Sequence, residues 1–454
     1  MGNSSAFDLL AARLDGRLIV PGDSDYDETR QVFYGGLDPH PAAIARVAHA
    51  ADVAALLDYV GEDGLDFSVR SGGHNITGSA VIDDAVVIDL RDLTGIHVDL
   101  ETRTVWAGSG LSAAELSNAL AEHGLAVGFG DTGSVGIGGI TLGGGVGFLS
   151  RRHGLTIDSL LAAEIVIASG EVLIADDDND PELFWAVRGG GGNFGVATRF
   201  RYALQPVDRI IGGMLMLPAT AESVAGFLEL SESAPADLTT IANMMSCPPM
   251  PFLPEEVVGQ TVIMGLLAWC GDLDEGRDVV HRFRSLAEPL ADFVDEIGYP
   301  EIYTPEEEDY RPLATGITGF TDFIDSEDIA TILEAIAASD APMRVTQIRA
   351  MGGAISRVDN DATAFAHRNR AWMINVASFY EGPEDLPRRQ AWVDELFFRL
   401  TGDDDAGYVG FLGDEGEERI RAAYPGPTWE RLREIKSKYD PDNRFHHNQN
   451  IPPA

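Results

Sequence analysis

The chain has 454 residues, with 73 Asp plus Glu against 32 Lys plus Arg, a formal net charge of −41. A surface of that sign repels phosphate backbones and anionic lipid, so neither nucleic acid nor a membrane surface is expected as a partner. The 45% hydrophobic and 23% charged content is that of a globular chain long enough for two or more domains, not of a disordered one.

Taken in chain order, residues 42–59 carry apolar residues at helical spacing, and so do 112–123. The β-branched runs 86–90, 103–107 and 164–168 end in turn residues and are expected as strands. The acidic stretch 176–180 lacks the Gly and Glu offsets of a calcium loop and is expected as a solvated loop; no metal site is expected. From about residue 210 the texture changes. Long strands are expected over 211–217, 259–269, 346–351 and 371–379, and helices over 221–231, 276–290 and 326–338. These patterns describe an α+β chain whose second part is an antiparallel sheet faced by helices. Residues 429–439 form a last amphipathic helix, stopped by Asp440-Pro441. Cys247 and Cys270 match no metal spacing and are expected as free thiols. The N-terminal stretch MGNSSAFDLL has no basic or apolar run, so no leader is expected, and no segment approaches the roughly 18 apolar residues of a membrane span. The acid is spread along the chain and the lysines are confined to Lys436 and Lys438. At 1 M salt the Debye length is about 3 Å, so such a chain suits a salt-rich cytoplasm.

Two glycine-rich stretches carry the chemistry. In the first, Val69-Arg70-Ser71-Gly72-Gly73-His74-Asn75 with Gly78, the paired glycines allow a tight turn that exposes successive N–H groups to an anion. Arg70 offers that anion a charged partner, and His74 follows directly beside the ligand. A glycine-rich turn carrying a solvent histidine fits this stretch equally well. The second stretch, 132–147 (TGSVGIGGITLGGGVG), leaves out side chains at Gly136, Gly138, Gly139, Gly143, Gly144, Gly145 and Gly147, where a flat ligand can lie against backbone. It lacks both the dinucleotide fingerprint with its downstream acid and the Lys-Ser/Thr of a P-loop, which argues against a nicotinamide dehydrogenase.

Together with 183–195 (LFWAVRGGGGNFG) and 439–452 (YDPDNRFHHNQNIP), these stretches resemble, in order and spacing, the berberine-bridge-enzyme-like oxidoreductases of the vanillyl-alcohol oxidase superfamily. The resemblance covers essentially the whole chain. It implies a two-part FAD-binding domain, residues 1–207 completed by 409–454, and a substrate domain over 208–408. It further implies FAD contacts from Arg70, Ser71, Gly72, Gly73, His74, Asn75, Gly78, Thr132, Ser134, Val135, Gly138, Gly139, Gly143, Gly144, Gly145, Gly147, Val166, Asn448 and Asn450. His74 stands where the family's histidine is bonded to the flavin 8α-methyl, a role a neutral imidazole can fill near pH 7.

The departures from the pattern matter as much. Many members carry a second link through cysteine, and Thr132 occupies that position here, so a single covalent link is expected. Val135 occupies the oxygen-gate position, where a small residue accompanies oxidase behaviour, so O2 is the expected acceptor. Asn375, Tyr408 and Phe411 fall where relatives act on substrate, with Gly410 replacing a usual asparagine. Asn is no general base and Phe has no proton chemistry, so hydride loss from an amine carbon is favoured without excluding an alcohol. Tyr380, Gln347 and Arg349 are further candidates, weighted towards structural roles. The expected activity is oxidation of a small C–OH or C–N substrate, with an O2-independent dehydrogenase or a flavin-binding protein of little turnover as alternatives.

Overall fold

The computed structural model describes residues 3–305 and 310–454. The first sheet is mixed, in the order Arg17–Ile19, Ala43–Arg46, Val86–Asp89, Phe67–Arg70, with the last three strands parallel to one another. Strand Val86–Asp89 is buried along its length, as a strand covered on both faces must be. Helix Ala50–Asp63 crosses between Ala43–Arg46 and Phe67–Arg70 and buries Val53, Leu56, Leu57 and Val60. His49 caps it by accepting the Asp52 N–H at Nδ1, 3.3 Å, and Gly64 ends it at φ 65°. The helix expected over 42–59 is therefore corrected: its first turn is a strand. A short run apolar on both faces has no period that separates strand from helix, and parallel pairing with Val86–Asp89 decides it.

The second sheet is antiparallel, in the order Ile96–Asp99, Thr104–Gly108, Val196–Ala203, Leu160–Val166, Val172–Ala175. Helix Ala113–Ala121 opens with a reciprocal cap between Ser112 and Glu115. Within the glycine-rich stretch 132–147, Ile137–Gly143 is a short helix.

The third sheet is the largest, antiparallel, ordered Ala291–Asp292, Arg209–Pro218, Thr261–Trp269, Leu238–Ser246, Arg344–Ala350, Trp372–Phe379, Ala314–Thr321, with Asp295–Gly298 also pairing to Arg209–Pro218. Helices Ala221–Ser233, Leu273–Arg284, Ser326–Ala338 and Leu386–Thr401 contribute Phe227, Phe283, Ile332 and Phe397 to a core shared with Trp269, Ile348, Ile374 and Val376 of the strands. Alternation along the strands sends Val345, Gln347 and Arg349, and Asn375, Ala377 and Phe379, to the opposite face, which lines a cavity. The helix expected over 276–290 stops at Arg284, because the chain turns to pair Ala291–Asp292 with Arg209–Pro218.

The C-terminal helix Pro427–Tyr439 and the tail return to the first part of the chain. Lys436, fully buried, donates to the Asn193 and Phe445 carbonyls at 2.8 and 2.9 Å and pairs with buried Asp440 at 2.7 Å. Asn193 in turn accepts the Ile451 N–H and donates to the Gln449 carbonyl. The stretch 183–195 and the tail are thus one hydrogen-bonded unit. Cys247 and Cys270 are free, the first buried and the second half-buried. No helix among the described residues is long and apolar enough to cross a membrane.

Candidate active site

A cavity of about 590 Å³ runs between the two smaller sheets and the large one. Its first wall is backbone. The turn at Gly72 and the turn at Gly136 cross so closely that a Cβ on Gly72 would stand 2.3 Å from the Gly136 nitrogen. Ser71 pins this crossing: its Oγ donates to the Ser109 carbonyl at 2.7 Å and accepts the Gly138 N–H at 3.2 Å. Gly73, at φ 76°, gives its carbonyl to the Phe33 N–H at 3.1 Å. His74 then lies on the cavity wall with its ring stacked on Phe33, centroids 4.1 Å apart. Burial pushes its pKa down to about 4, opposed by a hydrogen bond with the Ser134 backbone and helped by the charges of Arg70 and Arg311. The imidazole is therefore neutral at pH 7, with a lone pair available.

Of the residues expected to touch the cofactor, Ser71, Gly72, Gly73, His74, Asn75, Thr132, Val135, Gly138, Gly139, Gly143 and Asn448 line this cavity. The others stand behind the wall. Arg70 is buried, and its guanidinium bonds the Thr29 carbonyl under Gly73 instead of reaching the cavity. Gly78, at φ 70°, packs on Leu37. Gly144, Gly145 and Gly147 permit close approach of Phe365, Thr156 and the Phe129 carbonyl. Val166 is a core residue beside Val196 and Phe445. Ser134 contributes backbone to His74, and the Asn450 Oδ1 is buried without a protein partner.

The opposite wall comes from the large sheet and the stretch 408–411. Asn375 sits between Thr318 and Gln347 in register, and its Oδ1 has no protein partner. The Tyr408 hydroxyl accepts the Gly145 N–H at 3.0 Å and keeps its own proton to donate; burial raises its pKa. Phe411 packs edge-on to Tyr408, centroids 5.3 Å apart, and Gly410 is required because a Cβ would stand 2.7 Å from that ring. Tyr380 lies outside this wall. Gln347 and Arg349, two of the further candidates, join it in a polar chain with Asp131, for which the sequence carries no local signal: 218 residues separate Asp131 from Arg349. At the tail end of the cavity, His447 Nε2 meets Asp66 Oδ2 at 2.6 Å.

The site suits an elongated, partly flat cofactor. A Cβ on Gly139 would meet no atom within 4 Å, and one on Gly192 only the Asn448 amide at 4.0 Å, so these glycines open onto space. Asn448, which lines the cavity, and Asn450 behind it both carry side-chain oxygens without a protein partner. FAD, with its flat ring and its ribose and adenine donors, fits this set of groups.

Comparison with known proteins agrees. Residues 41–176 match the model of the FAD binding domain, and 407–452 the model described as berberine and berberine like. The (R)-6-hydroxynicotine oxidase of Paenarthrobacter nicotinovorans is 31% identical over 97% of each chain. A berberine bridge enzyme-like protein of Arabidopsis thaliana is 27% identical over 91% of this chain and 86% of its own. The crystal structure of 6-hydroxy-D-nicotine oxidase from Arthrobacter nicotinovorans superposes with a TM-score of 0.87 at 27% identity, covering 97% of this chain and 98% of that one. A chitooligosaccharide oxidase shares the fold at a TM-score of 0.86 and 18% identity, over 99% and 100% of the two chains. The fold and site define a FAD-binding oxidoreductase. Within that class, the chain belongs to the berberine-bridge-enzyme-like family of FAD-linked oxidoreductases.

Proposed function

We propose that the protein is an oxidase carrying its flavin on a single covalent bond from His74, acting on a small organic C–OH or C–N substrate with O2 as acceptor. The observation that carries this reading is the His74 ring: neutral, stacked on Phe33, and on the cavity wall. A neutral imidazole is the competent nucleophile, and its stacking fixes the ring plane. Thr132, on the same wall, has a hydroxyl where a second link needs a thiolate, so one link is expected. FAD, when bound, supplies an acceptor at N5 for a substrate hydride and a route for the electron pair to O2, which leaves as hydrogen peroxide.

The residues that would hold it are Ser71 to Asn75, Thr132, Val135, Gly138, Gly139, Gly143 and Asn448, with 1–207 and 409–454 as the FAD part and 208–408 as the substrate part. Substrate lies between the glycine wall and the sheet face bearing Asn375, with Tyr408 and Phe411 at its edge. These side chains serve to hold the donor carbon within about 3–3.5 Å of the acceptor. Small Val135 leaves room for O2 beside the wall.

Anaerobic mixing of the yellow protein with aldoses, cyclic amines and secondary alcohols, followed by admission of air, tests this. Bleaching, then recovery with one peroxide per turnover, is expected. Bleaching that persists in air would make it a dehydrogenase, and no bleaching with any class would remove the catalytic reading. The −41 charge belongs to the same proposal as a mark of a salt-rich cytoplasm. Loss of the circular dichroism signal on dialysis from molar salt is its expected consequence, and full retention would refute it.

A further inference from the structure

The tail end of the cavity carries a group of side chains that neither the glycine loops nor the sheet wall uses. Asp66 stands directly before strand Phe67–Arg70, and His446 and His447 come from the tail. Both histidines line the cavity, with Phe67 and Ser68. One ring nitrogen from each histidine and one carboxylate oxygen of Asp66 lie within 4.8 Å of one another. His447 is 381 residues from Asp66, so no spacing in the sequence announces the group.

The geometry sets acceptors against one another. His446 Nδ1 lies 3.0 Å from the Asn443 carbonyl, which has only lone pairs to offer, so that nitrogen carries the proton. A neutral ring therefore leaves Nε2 bare, and it faces Asp66 Oδ1 at 3.9 Å, where neither atom has a proton to give. Asp66 Oδ1 also accepts the Phe67 N–H at 3.0 Å, which leaves it a second lone pair. His447 Nε2 meets the other oxygen, Oδ2, at 2.6 Å. The two imidazole centroids are 4.1 Å apart, so protonating both rings sets like charges side by side. The backbone beneath them is fixed. Phe445 has its N–H on Asp440, its carbonyl on Lys436 and its ring edge-on to Phe67 at 5.4 Å. Arg444 spends its guanidinium on the Ala168 and Leu57 carbonyls.

We infer that Asp66, His446 and His447 form a site for a divalent transition-metal ion of the Zn2+ type, which staples the tail to the strand leading into the His74 loop. Four-coordinate zinc with bonds of about 2.1 Å places its ligand atoms roughly 3.4 Å apart. His446 then closes on Asp66 by about 0.5 Å and His447 opens from it by about 0.8 Å. Side chains 28% to 49% exposed have that freedom, and their exposure leaves the fourth position to water. The Asn443 carbonyl is the outer partner that orients a ligating imidazole. On binding, the His447 proton moves from Nε2 to Nδ1, so both rings ligate as neutral imidazoles and no proton is lost. Two imidazoles and one carboxylate suit Zn2+ and its neighbours, whereas Mg2+ and Ca2+ need more oxygens. The cluster Asp15, His49 and Asp52 has its lone pairs already spent. Asp52 accepts the Asp15, Gly16 and Ala48 N–H groups, and His49 Nδ1 accepts that of Asp52. Metal binding at the tail does not depend on what the cavity oxidises.

The full-length flavin-containing protein, freed of any histidine tag and treated with chelator, is titrated with Zn2+ by calorimetry and with Co2+ by its visible bands to the red of the flavin. One equivalent is expected, with Co2+ displaced by Zn2+ and not by a large excess of Mg2+. His446→Gln and Asp66→Asn are each expected to weaken Zn2+ binding at least about tenfold, the loss that removal of even an outer partner brings, and His49→Gln to leave it unchanged. Zn2+ should raise the melting temperature of the wild type and not that of His446→Gln, while the two melt alike without metal, which separates a metal staple from a hydrogen-bonded contact. Absence of saturable heat and of Co2+ bands, or unchanged affinity in both His446→Gln and Asp66→Asn, overturns the inference. Loss of binding in His49→Gln would move the site to the other cluster and also overturn it, as would displacement of Co2+ by Mg2+ or Zn2+ binding that leaves the melting temperature unmoved. Failure of metal binding alongside intact turnover would leave the oxidase reading standing.

Discussion

Gly72→Ala perturbs the place where the two cofactor loops cross. A Cβ there would stand 2.3 Å from the Gly136 nitrogen, 2.9 Å from its Cα and 3.4 Å from the His74 ring. Ordinary contact is about 3.5 Å, so the loops would have to part by roughly 1 Å. They have little freedom to do so, because Ser71 ties the crossing to both Ser109 and Gly138. Overpacking of this kind costs about 1–3 kcal/mol, and His74 moves with the loop. Gly72→Ala is therefore expected to lower the free energy of urea unfolding by that amount, with a correspondingly lower midpoint, and to cut flavin content per chain. Gly139→Ala supplies the contrast: its Cβ meets no protein atom within 4 Å, so its urea midpoint should match the wild type. Two variants with the same midpoint and the same flavin content would refute the reasoning.

Lys436→Met should cost about 3–5 kcal/mol in urea unfolding, because it strands fully buried Asp440 without its cation; a loss below 1 kcal/mol would contradict this. Tyr408→Phe removes the acceptor of the Gly145 N–H and should cost about 1–2 kcal/mol of stability; an unchanged midpoint would show that bond to be idle. Stability should fall as pH drops. His367 is buried against Phe320 with its pKa held down to about 4 by desolvation, while the unfolded chain takes up a proton near 6.5. Between those values the unfolded state binds the extra proton, so the urea midpoint should decline from pH 6.5 towards 4 and His367→Gln should flatten that decline.

Where one element carries its own pattern, the sequence was a sufficient guide. Helix Ser326–Ala338 has an acidic cap at Asp325 and a clean apolar stripe, and it forms over the expected residues. The misassigned Ala43–Arg46 has no such signal, since its identity comes from the parallel neighbour Val86–Asp89. Strands Leu238–Ser246 and Ala314–Thr321 went unread because alternation is lost where both faces are covered or glycine interrupts. Helix Leu386–Thr401 hides behind Pro387, which sits in its first turn. The site divides in the same way. The glycine turns were legible from their composition, while His74 was singled out only by the resemblance, since the loop by itself fitted a solvent histidine equally well. Gln347 and Arg349 were candidates from the sequence, but their link to Asp131 was not legible, because that contact exists only once the large sheet closes over the loops. Arg70 shows the opposite error, a charge in a suggestive motif that the fold turns inward to Thr29.

The central claim is the bond between His74 and the flavin. Peptide mass spectrometry of the purified yellow protein, after acid precipitation to release any unbound cofactor, measures it directly. One flavin adduct on the peptide containing His74, with none on the peptide containing Thr132 and none anywhere in His74→Ala, is the predicted result. Flavin that leaves entirely with the acid supernatant, or an adduct on any other residue, would contradict the account.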